Sequence, residues 1–264
     1  ENGIPIFSKN DFYIENYEKI SSDHINFFEK KGRNPFMDED YWIECENSTA
    51  LLISKYLSKI YSAEKSANKA KILDVGVGMG RLLSKFKKED KYGLDISKRY
   101  LKIAKSKGIN VCLTKIEEMP YKENLFEIIT CTDVLEHVLD LNLSIENLLK
   151  VLKKDGYLII RVPYDENLKN YLAKGFPYEY VHLRKFDEYS LRLQFEKIHQ
   201  VKVIEWTFTG YLAGKVKRGS SLQPYKFVMR VLFKILSYFS PSLRNFLVKK
   251  LAKPNEINMV IKKN

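Results

Sequence analysis

Residues 72–83 read ILDVGVGMGRLL, a short apolar run that leads into a turn with three glycines. Glycine adopts backbone conformations that other residues avoid, and it lets a ligand approach the main chain closely. A turn of this kind after a buried strand is typical of a site for a nucleoside-containing cofactor. The dinucleotide version requires G-x-G-x-x-G, and here Arg81 stands at the position of the third glycine. The spacing therefore argues against a dinucleotide.

Two acidic residues mark the ends of neighbouring apolar runs. Asp74 precedes the glycine turn, and Asp95 lies in the next run, YGLDI at 92–96. A carboxylate directly below the turn repels a diphosphate at short range, and it suits a ligand that carries positive charge. S-adenosylmethionine fits this requirement, because it has an ammonium group and a sulfonium and no phosphate.

Apolar runs and amphipathic segments alternate through most of the chain. Six segments have helical spacing, near 10–31, 38–60, 79–88, 98–107, 141–153 and 187–198. Runs that are apolar on both faces, with helices between them, indicate a parallel sheet that is covered on both sides. The predicted strands are KILDV (71–75), KYGLDI (91–96), INVCLT (109–114), FEIITC (126–131), GYLIIRV (156–162), QVKVIEWTFTG (200–210) and EINMVIKK (256–263).

The composition is that of a globular protein of 264 residues, with 45% hydrophobic and 30% charged residues. We expect one large α/β domain with additions, divided into four parts. These are an N-terminal helical cap or lid (1–66), a cofactor-binding core (67–209), a basic amphipathic helical insertion (210–255) and a final strand of the core sheet (256–264).

These features together resemble the class I S-adenosylmethionine-dependent methyltransferases. ILDVGVGMG resembles the glycine motif of that family. TCTDVLEHV (130–138) resembles the segment around the end of the fourth strand, and LLKVLKKDGYLIIRVP (148–163) resembles the helix, turn and fifth strand that follow. The resemblance implies a doubly wound, seven-stranded Rossmann-like sheet with an antiparallel last strand. It implies S-adenosyl-L-methionine as the cofactor.

The resemblance also implies a set of cofactor-binding residues. Asp95 would hold the ribose hydroxyls and Ile96 would pack on the adenine. Lys115 stands where many relatives have an aspartate beside the adenine amino group, so either the Glu117 side chain or backbone groups of Ile116 and Glu117 would take that role. The complete predicted set is Asp74, Gly76, Gly78, Gly80, Asp95, Ile96, Ile116, Glu117, Thr132 and Asp133.

Two histidines are candidates for catalysis. A hydroxyl acceptor must lose its proton as the new bond forms, so it needs a general base. His137 follows the fourth predicted strand, and His182 follows the fifth. Either histidine could be that base. The alternatives are a packing role for His137 and a loop-anchoring role for His182 together with Arg184. HLRKF (182–186) resembles a segment of methyltransferases that act on cell-envelope sugars, which implies a small polar or glycan-like acceptor methylated at oxygen.

We expect no metal site, and the three cysteines (Cys45, Cys112 and Cys131) have no zinc-type spacing.

The positive charge is concentrated in one segment. The net charge is +12, but residues 206–255 contain ten Lys and Arg and no Asp or Glu, while the rest of the chain carries 35 basic and 33 acidic residues. Lys226, Arg230 and Lys234 form a narrow stripe beside a wide apolar face. This segment could cover the acceptor pocket, or it could contact an anionic membrane through residues 215–253.

No export signal or apolar run long enough to span a membrane is apparent, so we expect a cytoplasmic protein, with peripheral contact at the inner face of the membrane as an open alternative. Nucleic acid is the least favoured partner, because no RNA-binding module is recognisable, and the oligomeric state is unknown. The alternative functions are an RNA-modifying methyltransferase and a catalytically silent membrane adaptor with the same fold.

Overall fold

A computed structural model describes residues 3–32, 39–64, 69–210 and 254–264, together with the single positions 231, 232, 235 and 247. At its centre lies a seven-stranded sheet with the order β3-β2-β1-β4-β5-β7-β6. The first five strands are parallel, and β7 runs antiparallel to both of its neighbours. The strands are β1 (Lys71–Val75), β2 (Asp90–Asp95), β3 (Asn110–Leu113), β4 (Phe126–Thr132), β5 (Leu152–Pro163), β6 (Lys202–Thr209) and β7 (Glu256–Lys262). The predicted doubly wound sheet with an antiparallel last strand is confirmed.

Helices cover both faces of the sheet. The helices are α1 (Phe12–Lys31), α2 (Glu39–Glu64), α3 (Lys98–Ser106), α4 (Leu141–Val151) and α5 (Glu188–Arg192), the last continued by a π-helical turn over Leu193–Ile198. On one face, Ile53 of α2 and Leu101 of α3 pack with Ile72 of β1. On the other face, Leu148 of α4 and Phe195 belong to a second buried cluster. The strands, which have apolar residues on both sides, are thereby buried on both faces, as their sequences require.

The helix predicted near 79–88 is wrong. That stretch contains only a short 3₁₀ turn, Leu83–Lys85. Leu82, Leu83 and Phe86 are all buried, so the apolar spacing that suggested a helix is satisfied by a tighter turn. The physical reason is that α2, which precedes β1 in the chain, already covers this face of the sheet.

The N-terminal segment is attached to the edge strand β3. The backbone N–H of Phe7 donates to the carbonyl of Leu113 at 2.9 Å, and the N–H of Leu113 donates to the carbonyl of Pro5 at 2.9 Å. From there α1 starts at its N-cap residue Asp11, whose side chain accepts from the backbone N–H groups of Tyr13 and Ile14. The chain therefore places α1 beside the carboxyl ends of the parallel strands. The domain boundaries at 66–67 and 209–210 stay predictions.

The basic insertion predicted at 210–255, including the proposed membrane contact at 215–253, lies outside the described residues apart from positions 210, 231, 232, 235, 247, 254 and 255. In the parts of the chain that the structure describes, no helix combines the length and the apolar character needed to cross a membrane. Cys45, Cys112 and Cys131 are buried free thiols.

Candidate active site

The glycine turn joins β1 to the neighbouring strand β2. The backbone N–H groups of Gly76 and Val77 both donate to the carbonyl of Leu94, at 2.9 and 3.0 Å. Gly76 has a φ of +72°, and a Cβ there would lie 2.3 Å from Cγ2 of Val134, so no larger residue fits. Gly78 has a φ of +49°, and a Cβ there would meet nothing within 4 Å. The turn is therefore packed tightly on one side and opens to free space at Gly78, as a cofactor cradle requires.

Asp95 lies at the end of β2, directly beside this open position. Its carboxylate accepts from the backbone N–H groups of Gly78 and Ser97, both at 2.9 Å. Burial raises the pKa of Asp95 to about 6, and the backbone donors oppose that shift. Ile96, the next residue, packs against the cluster of α2 and α3. The residues present fit an adenosyl cofactor here, with Asp95 held in place for a ribose.

Asp74 lies deeper than its sequence position suggested. It is only 2% exposed, and it accepts a 2.6 Å hydrogen bond from Oγ1 of Thr130, its partner on β4. Burial raises the pKa of Asp74 to about 7. The carboxylate thus lies beneath the glycine turn, and direct contact with a cation of the cofactor stays a prediction.

The segment after β3 contains the residues predicted near the adenine. Ile116 is buried, and the backbone carbonyls of Ile116 and Glu117 accept from Nδ2 of Asn147 at 3.1 and 2.9 Å. The Glu117 side chain accepts from the backbone N–H of Asp140 at 3.4 Å. Lys115 forms an ion pair with Asp11, so this departure from the family pattern anchors α1. Contacts of Ile116 and Glu117 with the adenine stay predictions.

The carboxyl end of β4 carries a buried ion pair. Asp133, which follows Thr132 at the strand end, has a φ of +56° and accepts from both Nε and Nη2 of Arg161 on β5. Nη1 of Arg161 donates to Oγ1 of Thr49 on α2 at 3.2 Å. The pair fixes the ends of two strands and α2 relative to one another. Cofactor contacts of Thr132 and Asp133 stay predictions.

Among the described residues, three oxygens of two buried carboxylates nearby lack hydrogen-bond partners. Among the described residues, neither side-chain oxygen of Glu136 has a partner, although the residue is 0% exposed. Glu256 accepts a 2.5 Å bond from the Tyr41 hydroxyl through Oε1, while its Oε2 has none. Burial raises the pKa of Glu136 above its ordinary value and that of Glu256 to about 8. Buried polar atoms are normally satisfied, so these oxygens mark a position where a ligand group would be bound.

The two histidines predicted for catalysis lie together at this edge of the sheet. Their ring centroids are 4.5 Å apart. Nδ1 of His137 lies 2.7 Å from the Tyr17 hydroxyl of α1 and 2.9 Å from the carbonyl of Val181. Nδ1 of His182 is hydrogen-bonded to the carboxylate of Glu166. Burial lowers the pKa of His137 to about 4, which keeps its imidazole neutral at pH 7.

Charged partners of these histidines did not stand out in the sequence. Glu136 lies beside His137 and Glu166 beside His182, while Arg161 pairs with Asp133 and Glu256 with Tyr41. Two local signals were present: an arginine inside the apolar run GYLIIRV, and a glutamate directly before His137. Glu166 and Glu256 gave no such signal, because only the fold brings them to the site. Arg184, by contrast, donates to the carbonyls of Leu135, Val138 and Leu139 and so anchors the turn after β4.

A family model described as a methyltransferase domain matches residues 66–202, just over half of the chain. The chain belongs to this methyltransferase family. The predicted class I S-adenosylmethionine-dependent methyltransferase is thereby confirmed, and S-adenosylmethionine is its cofactor.

Curated relatives match over the same region. The chain is 36% identical over 138 residues to an uncharacterized protein of Methanocaldococcus jannaschii, covering 52% of this chain and 62% of that protein. It is 30% identical over 152 residues to the ubiquinone biosynthesis O-methyltransferase of Coxiella burnetii, covering 54% of this chain and 64% of the relative. The aligned region thus spans less than two thirds of the length of these relatives.

Solved structures share the fold over nearly the whole chain. The putative methyltransferase in complex with the Trm112 activator of Haloferax volcanii has a TM-score of 0.59 at 11% identity, with 95% of this chain and 96% of that chain covered. The 1,6-didemethyltoxoflavin-N1-methyltransferase of Burkholderia thailandensis has a TM-score of 0.55 at 15% identity, with 98% and 94% covered. At these identities the likeness concerns the fold alone.

Proposed function

We propose that this methyltransferase transfers the methyl group of S-adenosylmethionine to a hydroxyl oxygen of a small polar or glycan-like acceptor. The cofactor supplies an activated methyl group on a positively charged sulfur. The chain must align the acceptor oxygen with that methyl group and exclude water, because proximity and orientation provide much of the acceleration in such a displacement.

The observation that carries the proposal is the pairing of His182 with Glu166 beside His137 and the buried Glu136. A carboxylate that holds Nδ1 of an imidazole orients the ring and favours proton uptake at the other nitrogen. The four side chains come from the segments that follow β4 and β5, at the edge where ligands of parallel α/β sheets bind. This cluster can therefore receive an acceptor hydroxyl and remove its proton.

Two further points support oxygen as the atom that is methylated and a polar acceptor. Several curated relatives at 30% identity are ubiquinone biosynthesis O-methyltransferases. The segment HLRKF, which contains His182, resembles a segment of methyltransferases that act on cell-envelope sugars. Tyr171 and Tyr17 add hydroxyl groups next to the two histidines, which makes this cluster polar.

Incubation with radiolabelled S-adenosylmethionine and a panel of nucleotide-activated sugars, catechols and bulk RNA tests the proposal. We expect label in a hydroxyl-bearing small molecule, with the new methyl ether identified by NMR. His182→Ala should lower turnover about 100-fold, as loss of a general base or of a group that activates the hydroxyl does, while cofactor affinity stays within about twofold of wild type. His199→Gln removes a histidine outside the cluster and should leave turnover unchanged.

Other outcomes contradict the proposal. Label that enters only RNA would favour an RNA-modifying methyltransferase, and cofactor binding without transfer to any acceptor would favour a catalytically silent adaptor. Normal turnover of His182→Ala with the true acceptor would remove His182 from the reaction.

A further inference from the structure

We propose that Glu136, His137 and His182 form a binding site for one divalent transition-metal ion of the zinc type. One donor atom of each side chain lies within 4.8 Å of the other two. Glu136 and His137 are adjacent on the turn after β4, and His182 reaches them from the segment after β5. The sequence alone does not show the group, because the third member is far away along the chain.

The distances suit a single ion after side-chain adjustment. Oε1 of Glu136 lies 3.8 Å from Nε2 of His137, which is too long for a hydrogen bond. Zinc bonds nitrogen and oxygen at about 2.0–2.2 Å, so two ligands of one tetrahedral ion lie about 3.4 Å apart. Glu136 and His137 are therefore close to coordination distance. The three donor atoms lie within 4.8 Å of one another, so side-chain rotation must shorten the longest separation by up to about 1.4 Å.

Both histidines have the hydrogen bonds that metal-bound histidines need. Nδ1 of His137 lies at 2.9 Å from the carbonyl of Val181, and Nδ1 of His182 is bonded to the carboxylate of Glu166. An Nδ1–H that donates to such an acceptor fixes the neutral tautomer and leaves the Nε2 lone pair for a metal. The same pattern at both residues is the arrangement expected of ligands held ready for an ion.

The local charge balance calls for a cation. Glu136 is fully buried, and among the described residues neither of its oxygens has a hydrogen-bond partner. The carboxylates of Asp133, Glu166 and Glu256 lie close enough to influence Glu136 electrostatically, while Arg161 is committed to Asp133. A buried carboxyl group without a hydrogen-bond partner is costly in either protonation state, and a divalent cation bound by Glu136 would supply a partner and stabilise the ionised form.

Two histidines and one carboxylate leave at least one position open on a zinc-type ion. The use of that position in catalysis rests on the proposed function, whereas binding of the ion does not. An acceptor hydroxyl coordinated there would have a lowered pKa, and His182 would then act as a ligand instead of the base. The hydroxyl proton would pass to water. The oxygen would then form its bond to the methyl carbon as the carbon–sulfur bond breaks and its electron pair stays on sulfur.

Titration with Co²⁺ and Zn²⁺ tests the site on the full chain, after removal of any affinity tag and stripping with a chelator. We expect one equivalent of Co²⁺ to bind with a visible absorption band, and Zn²⁺ to displace it. Glu136→Gln and His182→Ala should each weaken Co²⁺ binding at least about tenfold. Glu166→Gln should weaken it about 10- to 100-fold, because the hydrogen-bond acceptor of a ligand loses its negative charge, and it changes a side chain that is only partly buried. His199→Gln is the matched control and should bind as wild type does.

Absence of stoichiometric Co²⁺ binding to the folded wild-type chain would overturn the proposal, as would wild-type affinity in Glu136→Gln, His182→Ala and Glu166→Gln together. Circular dichroism of each variant excludes loss of fold as the cause of weaker binding. Because the titration uses neither cofactor nor acceptor, its result is independent of the proposed function. A chain that binds the ion but methylates no hydroxyl would refute the proposed function and leave the metal site intact.

Discussion

At the scale of single residues, burial controls the chemistry of the two acidic groups next to the glycine turn. Asp74 and Asp95 end neighbouring parallel strands, and both have raised pKa values because their charged forms lose contact with water. Asp95 keeps two backbone donors, from Gly78 and Ser97, whereas Asp74 has the Thr130 hydroxyl. Only Asp95 is both held by the glycine turn and adjacent to the open space at Gly78, so we assign the ribose contact to it.

The raised pKa of Asp95 predicts a pH dependence of cofactor binding. Above about pH 6 the carboxylate is ionised and can accept hydrogen bonds from two ribose hydroxyls; below that value it becomes protonated and loses this capacity. We therefore expect the affinity for S-adenosylhomocysteine, measured by calorimetry, to fall about tenfold per pH unit below pH 6. Asp95→Asn should bind more weakly at pH 8 and lack the step near pH 6. The same step in both proteins would assign the titration to another group.

At the scale of secondary-structure elements, α1 is fastened across the carboxyl edge of the sheet. Asp11 pairs with Lys115 after β3, and Glu18 accepts from the backbone N–H of Lys98 at the start of α3, at 2.6 Å. Tyr17 reaches His137 at 2.7 Å. These contacts connect α1 to the end of β3, to the start of α3 and to the histidine cluster. The role of the N-terminal helices as a lid stays a prediction.

Two substitutions separate the roles of the Asp11 carboxylate. Asp11→Ala removes both the N-cap of α1 and the ion pair, and should lower the free energy of unfolding by about 1–2 kcal/mol. Lys115→Met keeps the cap and removes only a partly exposed pair, so it should cost less than about 1 kcal/mol. Urea unfolding followed by circular dichroism measures both. Equal losses in the two variants would show that the ion pair, and not the cap, holds α1.

The elements differ in how far their sequences determine them. FEIITC and GYLIIRV could be recognised as strands because apolar residues on both faces leave no other buried arrangement. The 3₁₀ turn within 79–88 could not be recognised, because the spacing of Leu82, Leu83 and Phe86 fits either an α-helix or a 3₁₀ turn. Which of the two forms depends on the packing of α2. The pairing of Glu166 with His182 and that of Glu256 with Tyr41 could not be predicted, because the proximity of these residues comes from the fold and not from the local sequence.

At the scale of the whole molecule, the strand order explains where the sites lie. The order reverses between β1 and β4, and ligands of open α/β sheets bind at the carboxyl ends beside such a reversal. The glycine turn and Asp95 lie on the β1–β2 side of this point, and Asp133 and the histidine cluster on the β4–β5 side. The fold thus sets the predicted cofactor site and the proposed acceptor site at the same edge of the sheet, which is the arrangement that direct group transfer between two ligands requires.

Calorimetric titration of the chain with S-adenosylhomocysteine tests the central claim most directly, namely that the cofactor binds at the glycine turn and Asp95. We predict one site per chain, with affinity reduced at least about tenfold in Asp95→Ala, which loses the ribose acceptor, and in Gly78→Val, which places a branched side chain at a φ of +49° in the open space of the cradle. His199→Gln, which alters a side chain beside Gln194 outside the predicted cofactor-binding set, is a control for which we expect a change of less than about threefold. Wild-type affinity in both Asp95→Ala and Gly78→Val, or no binding to the wild-type chain, would contradict the assignment.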